Sequence, residues 1–399
     1  MMPRLRILLR SESLKYLIQT ILALLIDAIG IIAGTILALG WGILSSMKWS
    51  IALYPAILTM RGVVNGIFCG RISTGLHLGF IRPSLRDITW EFKILISSIV
   101  VFALTCSIFM IAQALVFGLL VWNVPVVEFL NVVLVILSTM FFSLVIISPI
   151  TFTIAVASYR AGLDPDMITY PVMSTIADII VTILYILIVY VLLTNKIALI
   201  LVSALFTFSS LALLLKYREE EEFIRTIGES IVVLIIVSMI TGLTGTFLLD
   251  ISLICDNPLI IALYPALIDM SGDVGSIIGS VITTRLALGI LTPSLYSIKV
   301  MWKNTIITWI SSILMYLIFP LMVLSIFRFE LKLYTRSIPI LLSTNILTIP
   351  IIIIISILIA SLTYRKGLDP DNFVNPIESS LADMITSLML LASIRIIAP

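Results

Sequence analysis

Residues 51–85 read IALYPAILTMRGVVNGIFCGRISTGLHLGFIRPSL, and residues 261–295 read IALYPALIDMSGDVGSIIGSVITTRLALGILTPSL. At an offset of 210 the two stretches share 18 of 35 positions. A second pair follows: YRAGLDPDMITYPVMSTIADIIVTI at 159–183 and YRKGLDPDNFVNPIESSLADMITSL at 364–388. At an offset of 205 these share 12 of 25. Apolar bias can match Ile with Leu. It does not match Tyr-Pro-Ala, Pro-Ser-Leu and Gly-Leu-Asp-Pro-Asp in the same order twice. The chain is a tandem duplication.

Long apolar runs surround these motifs. Of 399 residues, 60% are hydrophobic and 12% are charged, with a mean hydropathy of +1.22. A soluble domain this apolar could not cover its own surface, and the same arithmetic excludes intrinsic disorder. Each apolar run can cross a bilayer core at about 20 residues per span. The expected class is an all-α integral membrane protein with about 11 transmembrane helices. Five spans fall in each half, near 14–44, 51–80, 94–121, 131–157 and 171–193, then 230–254, 259–290, 303–327, 338–361 and 376–397. One further stretch, 197–215, has no counterpart, and the charged segment KYREEEEFIR at 216–225 follows it as a solvated linker. The expected organisation is a first five-helix repeat at 1–195, a linking helix and charged cytoplasmic linker at 196–228, and a second five-helix repeat at 229–399.

The unpaired span sets the topology. Five spans alone would invert the second half. A sixth returns the chain to its starting side, so the halves run parallel about an axis along the membrane normal. Charge counting fits this arrangement. With the N-terminus inside, inside segments hold 15 Lys and Arg and outside segments hold six. The positive-inside rule then gives a multi-pass cell-membrane protein with a cytoplasmic N-terminus. The basic start, MMPRLRILLRSESLK, leads into an apolar stretch too long for a signal peptide, and reads as a retained first span. The net charge of +2 and the lack of a basic arm argue against nucleic acid. Cys69, Cys106 and Cys255 show no metal or disulfide spacing and read as buried small hydrophobes.

Ionisable groups at membrane depth are costly and are functional candidates. The acidic set is Asp27, Asp178, Asp269, Asp273, Glu378 and Asp383. Asp178 and Asp383 stand out because they are equivalent, each seven residues after Pro171 or Pro376. On helices starting at those prolines they would sit about 10 Å into the span. Two facing carboxylates repel unless a cation lies between them, and a hydrated divalent ion is the simplest one. A proton relay, or an aspartate tied to a neighbouring Ser or backbone group, is the other reading. The surroundings offer oxygen only: Ser174, Thr175, Ser379 and Ser380 flank the pair, and His77 is the only histidine. Oxygen donors and waters suit a hard cation such as Mg²⁺.

Other elements admit two readings. The Leu-Asp-Pro-Asp motifs, with Asp164, Asp166, Asp369 and Asp371, are a turn with charge at a helix N-terminus, a cytoplasmic cation vestibule, or both. Pro55 with Gly62, and Pro265 with Gly272, either break the second spans to free carbonyls or allow close packing. Asp269 and Asp273 lie four apart on one face. Their counterparts are Thr59 and Val63, so this pair belongs to one half only. Asp27 is also unpaired across the halves.

These residues resemble the MgtE-type magnesium transporters, and more closely the two-repeat form called solute carrier family 41. That family has a proline early in its second span, then Gly-Asn and an Arg-Leu-Ser-Thr-like stretch. Here the first half has Pro55, Gly62 and Arg71-Ile72-Ser73-Thr74, and the second has Pro265, Gly272 and Thr283-Thr284-Arg285-Leu286. The family's fifth span opens Asp-Pro and carries a deep aspartate, which maps onto Asp164-Pro165 with Asp178 and Asp369-Pro370 with Asp383. The Gly-Asn asparagine is replaced by Val63 and Asp273, and the position of Arg71 by Val281. Single-repeat members work as homodimers with cytoplasmic regulatory domains. These 399 residues are expected to leave no room for such domains, so their gate is not carried over.

The expectation is therefore a transporter of divalent cations, most simply Mg²⁺, and not an enzyme. Asp178, Asp383, Asp273, Asp269, Ser174, Ser379, Asp164 and Asp369 are the candidate metal-binding residues. No resident cofactor is expected, since the metal is cargo. The expected partners are the lipid bilayer and divalent cations, with the chain working as a pseudo-dimeric monomer or in a higher oligomer. The competing readings are a lipid phosphotransferase with an acidic Mg²⁺ site and a small-solute secondary transporter.

Overall fold

The computed structural model describes residues 2–84, 87–162, 165–228, 231–255, 257–287, 289–292, 296–327, 331–365 and 370–397. Among them the helices are α1 (Met2–Ile26), α2 (Gly30–Leu39), α3 (Trp41–Ser45), α4 (Lys48–His77), α5 (Trp90–Leu120), α6 (Phe129–Arg160) and α7 (Pro165–Thr194). They continue as α8 (Lys196–Tyr217), α9 (Glu221–Gly228), α10 (Ile231–Ile254), α11 (Pro258–Ala287), α12 (Tyr296–Phe327), α13 (Leu331–Arg365) and α14 (Pro370–Ile397). The described residues contain no strand. Among the described residues eleven helical segments are long and apolar enough to cross a membrane. Helix is what a bilayer imposes, because every backbone group must find its partner within the segment. The chain is an all-α integral membrane protein.

Local chemistry sets the helix ends. Thr89 Oγ1 accepts from Phe92 N at 3.3 Å to start α5, and Asn195 Oδ1 accepts from Ala198 N at 3.3 Å to start α8. Pro165 and Pro370 open α7 and α14, where a missing N–H costs nothing. Past the ends of α4 and α11, Gly79 (φ 75°) and Gly289 (φ 69°) take the left-handed conformation that a side chain resists. They are repeat equivalents, so the duplication extends to the turn.

At four places the structure departs from the local readings or decides between them. The apolar fifth spans run Val172–Thr194 and Glu378–Ile397, close to the expected bounds, but the helices that carry them do not begin at Pro171 and Pro376: α7 and α14 start six residues earlier, at Pro165 and Pro370. The second spans do not break. Pro55 and Pro265 sit inside the continuous helices α4 and α11. The first span, by contrast, is interrupted: a 3₁₀ turn at Asp27–Ile29 separates α1 from α2. The linker helix α9 is not wholly solvated. Arg218 and Glu219 are exposed, but Phe223 is fully buried in a cluster with Ile94, Val101 and Tyr217. The three cysteines are buried, and His77 ends α4 with its ring edge-on to Tyr159.

The helices gather into two units that cut across the sequence repeat. Unit 1 holds residues 1–38 and 250–399, and unit 2 holds 39–249. The first span of the first half thus packs with the second half's helices. Leu24 and Ile31 join Leu259, Ala262, Leu263 and Ala266 in one core, and Tyr16 Oη lies 3.1 Å from Thr308 Oγ1. The reverse holds in unit 2, where α10 packs on the first half. Trp122 Nε1 donates to Thr246 Oγ1 at 3.0 Å, and the buried Gln113 hydrogen-bonds Thr241. One glycine on each first span marks the exchange. A Cβ on Gly34 would overlap the carbonyl oxygen of Ala262, and a Cβ on Gly245 would overlap that of Ala52. Ala52 and Ala262 are repeat equivalents, so the two first helices dock reciprocally and in the same way. Small residues at such crossings let backbones touch, which is the main source of helix adhesion in lipid.

Candidate cation site

Each deep aspartate is carried on a helix braced in the same manner. In unit 2, Tyr54 Oη lies 2.9 Å from Thr182 Oγ1, and that hydroxyl donates to the Asp178 carbonyl at 2.7 Å. In unit 1, Tyr264 Oη lies 2.8 Å from Ser387 Oγ, which donates to the Asp383 carbonyl at 2.7 Å. Both tyrosines are fully buried beside the helix prolines. In unit 2 Tyr185 also donates to the carbonyl of Ser50, at 2.5 Å. The bracing fixes α4 against α7 and α11 against α14. Asp178 and Asp383 are half-buried. Each lies 13 residues from its helix start, about 20 Å of rise.

The surroundings of the two aspartates differ in charge. In unit 2, Arg61 is buried (3% exposed) and interacts electrostatically with Asp178. Its Nε and Nη1 atoms have no hydrogen-bond partner. At the equivalent place in unit 1 stands Ser271, which donates to the Leu267 carbonyl at 2.8 Å. Unit 1 instead gathers acids. The Tyr264–Ser387 contact, together with Gly272 lying 3.9 Å by its built Cβ from Ser379, sets the antiparallel register of α11 and α14. In that register Asp269 is level with the turn of Asp383, and Asp273 with that of Ser379. Asp27 faces Asp269 and Asp273, with its carboxyl in hydrogen-bonding reach of Asp273.

A second difference lies one turn away. In unit 2, Thr151 Oγ1 donates to Asn65 Oδ1 at 2.9 Å. In unit 1 the equivalents are Ser356 and Gly275, and the polar partner comes from α14: Ser356 Oγ donates to Glu378 Oε1. A Cβ on Gly275 would sit 2.5 Å from that oxygen. The counterpart of Glu378 is Met173. The same three-helix junction is thus closed from opposite sides in the two units.

The candidate residues fall out as follows. Asp269 and Asp273 share unit 1 with Asp383 and Ser379, while Asp178 and Ser174 belong to unit 2. Ser174 is exposed, Ser379 half-buried. Asp164 and Asp369 lie outside the described residues. Among the described residues no three Asp, Glu, His or Cys side chains come close enough to hold a metal ion by themselves. Sequence reasoning passed over the bracing tyrosines, Thr182, Ser387 and the Arg61–Asp178 relationship. A hydroxyl four residues after each deep aspartate was the available signal.

The model of the MgtE divalent cation transporter family matches residues 54–188 and again 264–393. Each match opens on a bracing tyrosine and runs through the fifth span. No curated protein and no solved structure matches the chain.

Proposed function

This chain belongs to the MgtE family of divalent cation transporters and moves divalent cations across a membrane; we propose that its ion is Mg²⁺ and that Asp178 and Asp383 bind it in transit. The observation that carries this reading is the duplicated bracing. Two hydroxyl relays hold two equivalent carboxylates at the same depth of their helices. A charge so deep in an apolar span is retained for a purpose. The donors near it are carboxylates, hydroxyls and waters, which suit a hard ion. Mg²⁺ dehydrates reluctantly, so a carboxylate would grip it through its water shell rather than strip it. Ser174 and Ser379, a turn before each aspartate, would orient those waters. Asp164 and Asp369 would attract the ion at the cytoplasmic face, with the N-terminus on that side. The chain carries both halves of the path and would work as a pseudo-dimeric monomer.

The test is Mg²⁺ uptake into liposomes holding the full chain and a Mg²⁺-sensitive dye. Asp178→Asn with Asp383→Asn should reduce flux at least tenfold while the protein still reconstitutes. Unchanged flux sinks the assignment. Repeating the assay across imposed Na⁺ and proton gradients separates a channel from a coupled exchanger.

A further inference from the structure

We propose that Asp27, Asp269 and Asp273 form a second cation site, confined to unit 1, that holds a hydrated divalent ion beside the turn of Asp383. The proposal rests on the cation-transport reading and adds a place where the ion stops.

The two acids of α11 do not by themselves make a site. What singles them out is Asp27, which comes from the other repeat's first span. It is 8% exposed, and its Oδ2 has no hydrogen-bond partner. The charged groups facing it are Asp273 and Asp269, both acidic. Two carboxylates within hydrogen-bonding reach repel unless a shared proton or another cation lies between them, and a divalent cation can take that place. Unlike Asp178, which has Arg61 close by, Asp27 has no such base among its facing charges.

The backbone is shaped around this contact. The first span changes from α to 3₁₀ at Asp27 itself, and a 3₁₀ stretch inside a long helix often marks a functional point. One turn later comes Gly30. A Cβ there would lie 3.3 Å from Asp269 Oδ2, so the absent side chain leaves room for that carboxylate. Asp273 completes the group and is exposed. The three carboxylates do not close to direct ligation. An ion held there would keep several waters and use one or two of the carboxylates, the habit of Mg²⁺. Unit 2 has no copy. Thr59 and Val63 stand where Asp269 and Asp273 do.

The test uses the full chain in nanodiscs, with Mn²⁺ as a paramagnetic probe and Mg²⁺ as competitor. In the Asp178→Asn, Asp383→Asn background, one class of Mg²⁺-displaceable Mn²⁺ should remain. Adding Asp27→Asn should weaken it at least tenfold, while Asp27→Glu should keep it within a few fold. Asp273→Asn, at an accessible position, serves as the second variant and should weaken it likewise. The proposal is overturned if the folded background variant binds no Mn²⁺, or if neither asparagine substitution moves the isotherm. Loss of flux in the background variant bears only on Asp178 and Asp383, so the two readings fail separately.

Discussion

Gly34 rests directly on the backbone carbonyl of Ala262, in a contact that leaves no space for a methyl group. Gly245 does the same to Ala52. The two contacts join the first span of each repeat to the second span of the other.

Replacing either glycine by alanine should therefore cost more than ordinary overpacking, which runs at about 1–3 kcal/mol, because the obstacle is backbone. Thermal melts in detergent should show a clear fall for Gly34→Ala and Gly245→Ala. Gly42 and Gly70 have open space around them and are the controls. Alanine there should be neutral or gain up to about 1 kcal/mol of helix propensity.

Tyr54→Phe and Tyr264→Phe remove the outer link of each relay. Interhelical hydrogen bonds in membranes average about 0.6 kcal/mol, so each melting point should fall only slightly. Transport should fall further than stability does, since the helix carrying the aspartate loses its brace. Equal flux in the Phe variants and the parent would show that the relay plays no part in holding the carboxylate.

Arg61 and Asp178 should behave as a coupled pair. Breaking a fully buried ion pair costs about 3–5 kcal/mol, which is the upper bound here because Asp178 is half-buried. Arg61→Met should destabilise strongly, and Arg61→Met with Asp178→Asn should recover much of the loss. Additive melting shifts in this double-mutant cycle would show that the two are not linked.

The junctions closed by Asn65 and Glu378 should be interchangeable only as sets. Gly275→Asn alone drives a side chain into Glu378, and Glu378→Met alone leaves Ser356 without its carboxylate. Together they recreate the Asn65, Met173 and Thr151 arrangement of the other unit. The double variant should melt higher than either single one, and a double variant that melts lowest would refute the equivalence.

Span number and repeat order were legible because hydropathy and motif order are written along the chain. Asp178 and Asp383 stand out in the sequence because few charges interrupt it and these two recur. The starts of α7 and α14 were misjudged because four proline positions competed. Pro165 and Pro370 hold the first helical position, and Pro171 and Pro376 are carried within. The exchange of first spans was not legible. Gly34 and Gly245 show that small residues matter, yet apolar patterning does not say which helix they touch. Nor could alignment find the Asn65–Glu378 substitution. It compares equivalent positions, and there it sees two unrelated mismatches.

The exchanged first helix has a consequence for synthesis. α1 is made first, but the surface of α11 that receives it is made more than two hundred residues later. Until then Asp27 has neither its cover nor its facing groups, and an acid at that depth is costly in lipid. A nascent chain that stops before Pro258 therefore holds an acid at membrane depth without the groups that face it in the folded protein.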